Sequence, residues 1–160
     1  MNFKVCCKTH PVLKWIQILF SIIVIALLEP QLNVWFVYKF IFATGCICLV
    51  TTPLMLIIFS TGLYTKTGDA IPWIKLEYFV NVVCAVLNGL ALVCATIDVV
   101  LMFHDYWSHH DQSQASYHTL YGWRNRMAAV CAFTGSNALL YLLTAVMVHE
   151  TGITEYKTLA

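Results

Sequence analysis

The sequence predicts an all-α integral membrane protein: a bundle of four transmembrane helices with both tails in the cytosol. Three observations point there. Hydrophobic residues make up 60% of the 160 residues and charged residues only 11%, against roughly 45–50% and 25% in ordinary soluble domains. Mean hydropathy is +0.75, which leaves too little polar surface to coat a water-soluble globule. Four stretches are apolar enough to cross the roughly 30 Å hydrocarbon core of a bilayer, which takes about 20 residues as a helix. The length allows one domain. The net charge of +1 names no partner, and it excludes a nucleic-acid binder, which needs a large basic excess.

The first helix is expected over residues 12–28, from Val12 through Trp15 to Leu28, and Glu29-Pro30 closes it. It is short enough to resemble a signal-peptide core. No small-x-small cleavage site follows Leu28, however, so it is read as a retained helix. The second helix runs over 35–60 and carries no charge after Lys39. Its Pro53, preceded by Thr51 and Thr52, is expected to kink it and to free a carbonyl for a threonine hydroxyl. The third runs over 77–103 with Asp98 inside it, and the fourth over 127–148 without a charge. Pro30 to Val34 makes a tight hairpin. Thr61 to Lys75 carries the turn residues Gly62, Gly68, Asp69 and Pro72, and His104 to Arg126 is the longest loop. With so little chain outside the bilayer, function is expected in the helices, the third loop or the short tails.

Lysine and arginine near the helix ends set the orientation. Lys4, Lys8, Lys14, Lys66, Lys75 and Lys157 fall on the side of the tails, against Lys39, Arg124 and Arg126 on the other. That bias favours cytosolic tails. Cys6 and Cys7 stand among lysines just before the first helix, where juxtamembrane cysteines are candidates for S-palmitoylation. Cys46, Cys48, Cys84, Cys94 and Cys131 fall within helices as small packing residues. Near the end, Tyr156-Lys-Thr-Leu159 has the Tyr-x-x-bulky form that clathrin adaptors read as an extended peptide.

Polar groups in hydrocarbon are costly and turn toward a bundle interior. On the third helix Glu77, Asn81, Asn88 and Ala95 project onto one stripe at 100° per residue, with Cys84, Ala91 and Asp98 beside it. This polar stripe is either a helix-packing seam with asparagines as interhelical glue or the lining of an ion or proton path. On the fourth helix Ala128, Ala132 and Ser136 repeat every four residues beside Gly135 and Asn137, a small-xxx-small seam; Ala85 and Gly89 have the same spacing on the third. Asp98 lies about 7 Å inside its helix end and Lys39 about 6 Å inside its own, at 1.5 Å per residue. Lys39 or Arg126 is therefore expected to neutralise Asp98. The third loop holds His104, His109, His110, His118, Asp105 and Asp111, but their spacing matches no zinc pattern. Its Tyr106, Trp107, Tyr117, Tyr121 and Trp123 read as an aromatic belt at the headgroups.

These helices resemble a known family. Leu13-Lys14-Trp-Ile-Gln17 leading into an aliphatic run is similar to the opening helix of MARVEL-domain proteins, the group of MAL, plasmolipin, the chemokine-like factors and singles bar. Leu76-Glu77-Tyr-Phe-Val-Asn81 followed by Ala85-Val-Leu-Asn-Gly-Leu-Ala91 is similar to that family's third helix, and the fourth helix ending Leu-Tyr141-Leu-Leu fits as well. The resemblance spans the whole domain. It implies a non-enzymatic organiser acting in membrane apposition, vesicle traffic, cell junctions or cell–cell fusion, at the plasma membrane or on post-Golgi vesicles. Its partners would be membrane lipids, further copies or other membrane proteins, and a clathrin adaptor at Tyr156. The alternative is a small channel or transporter subunit that uses the third-helix stripe. No nucleophile–base pair can be placed, so no catalytic residue, cofactor or metal site is expected.

Overall fold

The computed structural model describes residues 9–29, 32–33, 35–67, 71–104 and 120–151. Cys6, Cys7, Tyr156, Leu159 and the histidine-rich stretch 105–119 lie outside the described residues. The chain is all-helical: α1 Thr9–Leu28, α2 Phe36–Ser60, α3 Leu63–Lys66, α4 Trp73–Phe103 and α5 Leu120–Thr151. Four helices are long and apolar enough to cross a membrane, over Pro11–Leu28, Phe36–Ser60, Trp73–Phe103 and Gly122–Glu150.

Three helices start earlier than hydropathy predicts, α1 by three residues, at Thr9. α4 begins at Trp73 rather than near 77, and α5 at Leu120 rather than near 127. Lys75, Arg124 and Arg126 interrupt an apolar run without interrupting a backbone hydrogen-bond ladder. Both lysine and arginine are good helix formers. Hydropathy finds the part of a helix that suits hydrocarbon, not the whole helix. α2 ends at Thr61, whose N–H and hydroxyl both donate to the Ile57 carbonyl. Gly62 follows with φ 69°, a left-handed backbone that glycine adopts without a Cβ penalty. Trp73 Nε1 then donates to Thr67 Oγ1 at 2.7 Å and ties the connection to the start of α4.

The inward residues of α1 and α4 alternate steps of three and four. In α1 they are Lys14, Gln17, Ser21, Val24 and Leu28; in α4, Glu77, Asn81, Cys84, Asn88, Ala91, Ala95, Asp98 and Met102. A repeat of about 3.5 residues keeps one seam facing its neighbours along the whole length, as in coiled coils and four-helix bundles. α1 packs against α2 and α5, and α4 packs against the same two. The ring order is therefore α1–α2–α4–α5, with α1 diagonal to α4 and α2 diagonal to α5. Along α4 and α5, Leu92 meets Gly135, Thr96 meets Cys131, Phe103 meets Arg124 and Tyr78 meets His149. A single antiparallel register accounts for all four contacts.

Candidate functional site in the bundle interior

At the end of the bundle shared by the start of α1 and the end of α5, Lys14 Nζ lies 2.9 Å from Glu77 Oε1. The two are 3% and 0% exposed, so this is a buried ion pair across the diagonal between α1 and α4. One turn further along α1, Gln17 Nε2 donates to Thr144 Oγ1 at 2.9 Å. Thr144 in turn donates to the Leu140 carbonyl of its own helix. The next level joins α2 to its diagonal partner α5 through a 2.6 Å hydrogen bond between the hydroxyls of Thr52 and Tyr141.

Toward the middle, Asn88 Nδ2 donates both to Cys48 Sγ of α2, at 3.2 Å, and to the Cys84 carbonyl of its own helix, at 2.8 Å. Asn137 Nδ2 of α5 donates to Ser21 Oγ of α1 at 3.2 Å. Thr44, Gly45 and Thr134 complete a polar level with contributions from all four long helices, and the space between these side chains has no room for a water molecule. Beyond it the interior turns apolar through Val24, Ile41, Ala91, Ala95 and Val130.

At the far end Asp98 returns polarity to the core. Its Oδ2 accepts from the Tyr38 hydroxyl at 2.6 Å, and that hydroxyl accepts from Trp123 Nε1 at 3.0 Å. Three helices thus meet at one phenol. The expected partners of Asp98 are corrected here: among the described residues it takes Tyr38, not Lys39 or Arg126. One residue step turns a helix by 100°, so with Tyr38 buried, Lys39 points outward and is exposed. Arg126 Nη1 is buried without a hydrogen-bond partner among the described residues. Trp123 belongs to the core and not to an aromatic belt.

All four members of the third-helix stripe, Glu77, Asn81, Asn88 and Asp98, are buried on one face. Asn81 Nδ2 turns back to the Glu77 carbonyl of its own helix, however, and its Oδ1 stays unpartnered among the described residues. The small-residue row of the fourth helix is not a packing seam within the bundle. Ala128, Ala132 and Ser136 face outward, while the inward row is Met127, Val130, Thr134, Asn137 and Tyr141. Of the small residues, Gly135 makes the close approach, since a Cβ there would lie 3.3 Å from Leu92. On α4, a Cβ at Gly89 would meet nothing within 4 Å. The threonines before Pro53 also differ from expectation. Thr51 donates to the Ile47 carbonyl and Thr52 bonds Tyr141, so neither reaches the carbonyl of Leu49 that the proline leaves free.

Lys14, Gln17 and Ser21 of α1, and Tyr38, Trp123 and Tyr141, join the interior network without being expected there from sequence. In sequence Lys14 reads as a flanking charge. The signal for α1 was present, because Lys14, Gln17, Ser21 and Val24 already carry the three-four spacing of an inward seam.

No protein-family model matches this sequence, and neither curated proteins nor solved structures yield a significant match.

Proposed function

We propose that the chain is a multi-pass membrane protein with cytosolic tails and a non-enzymatic organiser of membranes. It would act in apposition, vesicle traffic, junctions or fusion, at the plasma membrane or on post-Golgi vesicles. The observation that carries this reading is how the interior polarity is used. Lys14, Gln17, Thr52, Asn88, Asn137 and Tyr38 each hold a partner on another helix. The level around Asn88 has no room for water, and an apolar layer separates it from Asp98. Groups spent on holding helices together are not lining a conduit. What remains for work is the lipid-facing surface and the short tails. The resemblance of Leu13–Gln17 and Leu76–Ala91 to MARVEL-domain helices supports the same reading. So does the outward row Ala128, Ala132 and Ser136, which is where lateral assembly with other copies or other membrane proteins is placed.

The test has two arms. A tagged chain, expressed beside Cys6→Ser/Cys7→Ser and Tyr156→Ala forms, is expected to concentrate at cell contacts or post-Golgi vesicles, with altered distribution in both variants. Purified chain in liposomes is expected to pass no ions above protein-free background. An even membrane distribution indifferent to the substitutions, together with an ion flux abolished by Asn88→Leu, would replace the organiser with a channel.

A further inference from the structure

Two buried carboxamides stand on diagonal helices, one turn in from the Lys14–Glu77 ion pair. α1 and α4 both start at this end of the bundle. Gln17 is three residues past Lys14 and Asn81 four past Glu77, so at 1.5 Å per residue the two lie within about 1.5 Å of the same level. They are 0% and 1% exposed. Gln17 Nε2 donates to Thr144 Oγ1 and Asn81 Nδ2 to the Glu77 carbonyl, both at 2.9 Å. Each amide leaves a buried oxygen, Gln17 Oε1 and Asn81 Oδ1, without a hydrogen-bond partner among the described residues. Turning either amide over does not help. Asn81 would then set an oxygen against the Glu77 carbonyl. Gln17 would set one against Thr144 Oγ1, whose proton goes to the Leu140 carbonyl. Buried acceptors in folded proteins are satisfied by protein or by ordered water.

We propose that Gln17 Oε1 and Asn81 Oδ1 hold one ordered water molecule, which donates to both oxygens and accepts from the Lys14 ammonium. The site goes beyond the organiser reading and does not depend on it. Two acceptors call for a ligand with two donors. The Lys14 ammonium one turn away repels a metal cation. A water supplies two O–H donors and an acceptor in the smallest volume, and it needs two to four polar partners. Neighbouring helices in a packed ring lie about 8–10 Å apart, so the α1–α4 diagonal is roughly 11–14 Å. Lys14 and Glu77 span it with long side chains. Asn81 turns back along its own helix and Gln17 turns sideways to α5, so neither fills the gap between them. The Lys14–Glu77 pair closes this level on one side, and the Thr52–Tyr141 hydrogen bond from α2 to α5 closes it on the other. The water is therefore enclosed and single, not part of a conduit. It ties α1 to α4 one turn beyond their ion pair.

The test uses the full chain, isotope-labelled and reconstituted in phosphatidylcholine liposomes. Magic-angle-spinning NMR reads the polarisation that passes from water protons to side-chain carboxamides. Gln17 and Asn81 are expected to show a water cross-peak. Asn88, in the level without room for water, is expected to show none. Gln17→Met and Asn81→Leu each remove one anchor, so each is expected to abolish the cross-peak at the amide that remains. Transfer to neither amide, transfer of equal strength to Asn88, or a cross-peak at Asn81 that survives Gln17→Met would overturn the site. The parent spectrum alone decides the first two outcomes, so a variant that fails to fold does not shelter the proposal.

Discussion

Lys14→Met isolates the buried ion pair. At 2.9 Å and an effective dielectric constant of about 20, the attraction between Lys14 and Glu77 is roughly 6 kcal/mol. Desolvating each ion costs several kcal/mol, so the pair is close to neutral against two well-packed apolar side chains. Removing one partner is a different matter. It takes the Lys14 ammonium away from the buried Glu77 carboxylate, which costs about 3–5 kcal/mol. Unfolding of the purified protein by a denaturing detergent, followed by far-UV circular dichroism, would measure this. Lys14→Met is expected to lose about 3–5 kcal/mol, and Lys14→Met/Glu77→Leu to recover to within about 1 kcal/mol of the parent. The asymmetry between single and double change is the signature. If Lys14→Met costs less than about 1 kcal/mol, or if the double change is no better than the single, the pair is not desolvated as described.

Four further outcomes are expected. Tyr38→Phe deletes the hydroxyl between Asp98 and Trp123, so a thermal melt in detergent should report a loss of about 1–3 kcal/mol. Gly135→Val drives its side chain into Leu92 and should cost about 1–3 kcal/mol. Gly89→Ala meets open space and should raise stability by about 0.5–1 kcal/mol through helix propensity alone. Ala132→Leu and Ser136→Leu, both on the outward face, should leave detergent stability within about 0.5 kcal/mol. In the same samples they should lower cross-linked dimer yield; unchanged cross-linking would remove this face from any assembly.

Much of the third helix was legible because its pattern is redundant. Glu77, Asn81, Asn88 and Asp98 are expensive in hydrocarbon wherever they stand, so a common face could be assigned without any partner in view. The fourth helix carries no such redundancy. Ala128, Ala132 and Ser136 are small enough for a seam but equally acceptable to lipid. Nothing in their chemistry distinguishes the two sides, and the choice fell to the spacing of Met127, Thr134, Asn137 and Tyr141. Asp98 shows the other kind of failure. Tyr38, next to Lys39 in sequence, is not legible as its partner, because a phenol is not a charge and because which neighbour turns inward depends on how α2 is rotated.

By itself, then, the sequence determined that four helices are long and apolar enough to cross a membrane, and which face of α4 turns inward. Both depend on transfer free energies and helical periodicity, which are local properties of the chain. The tertiary structure alone decided that Lys14 spans the bundle to Glu77, that Tyr38 stands between Asp98 and Trp123, and that Arg124 lies over Phe103. Each joins residues from different helices. Ring order, relative rotation and register fix which atoms meet, and those arise only when four seams are packed against one another.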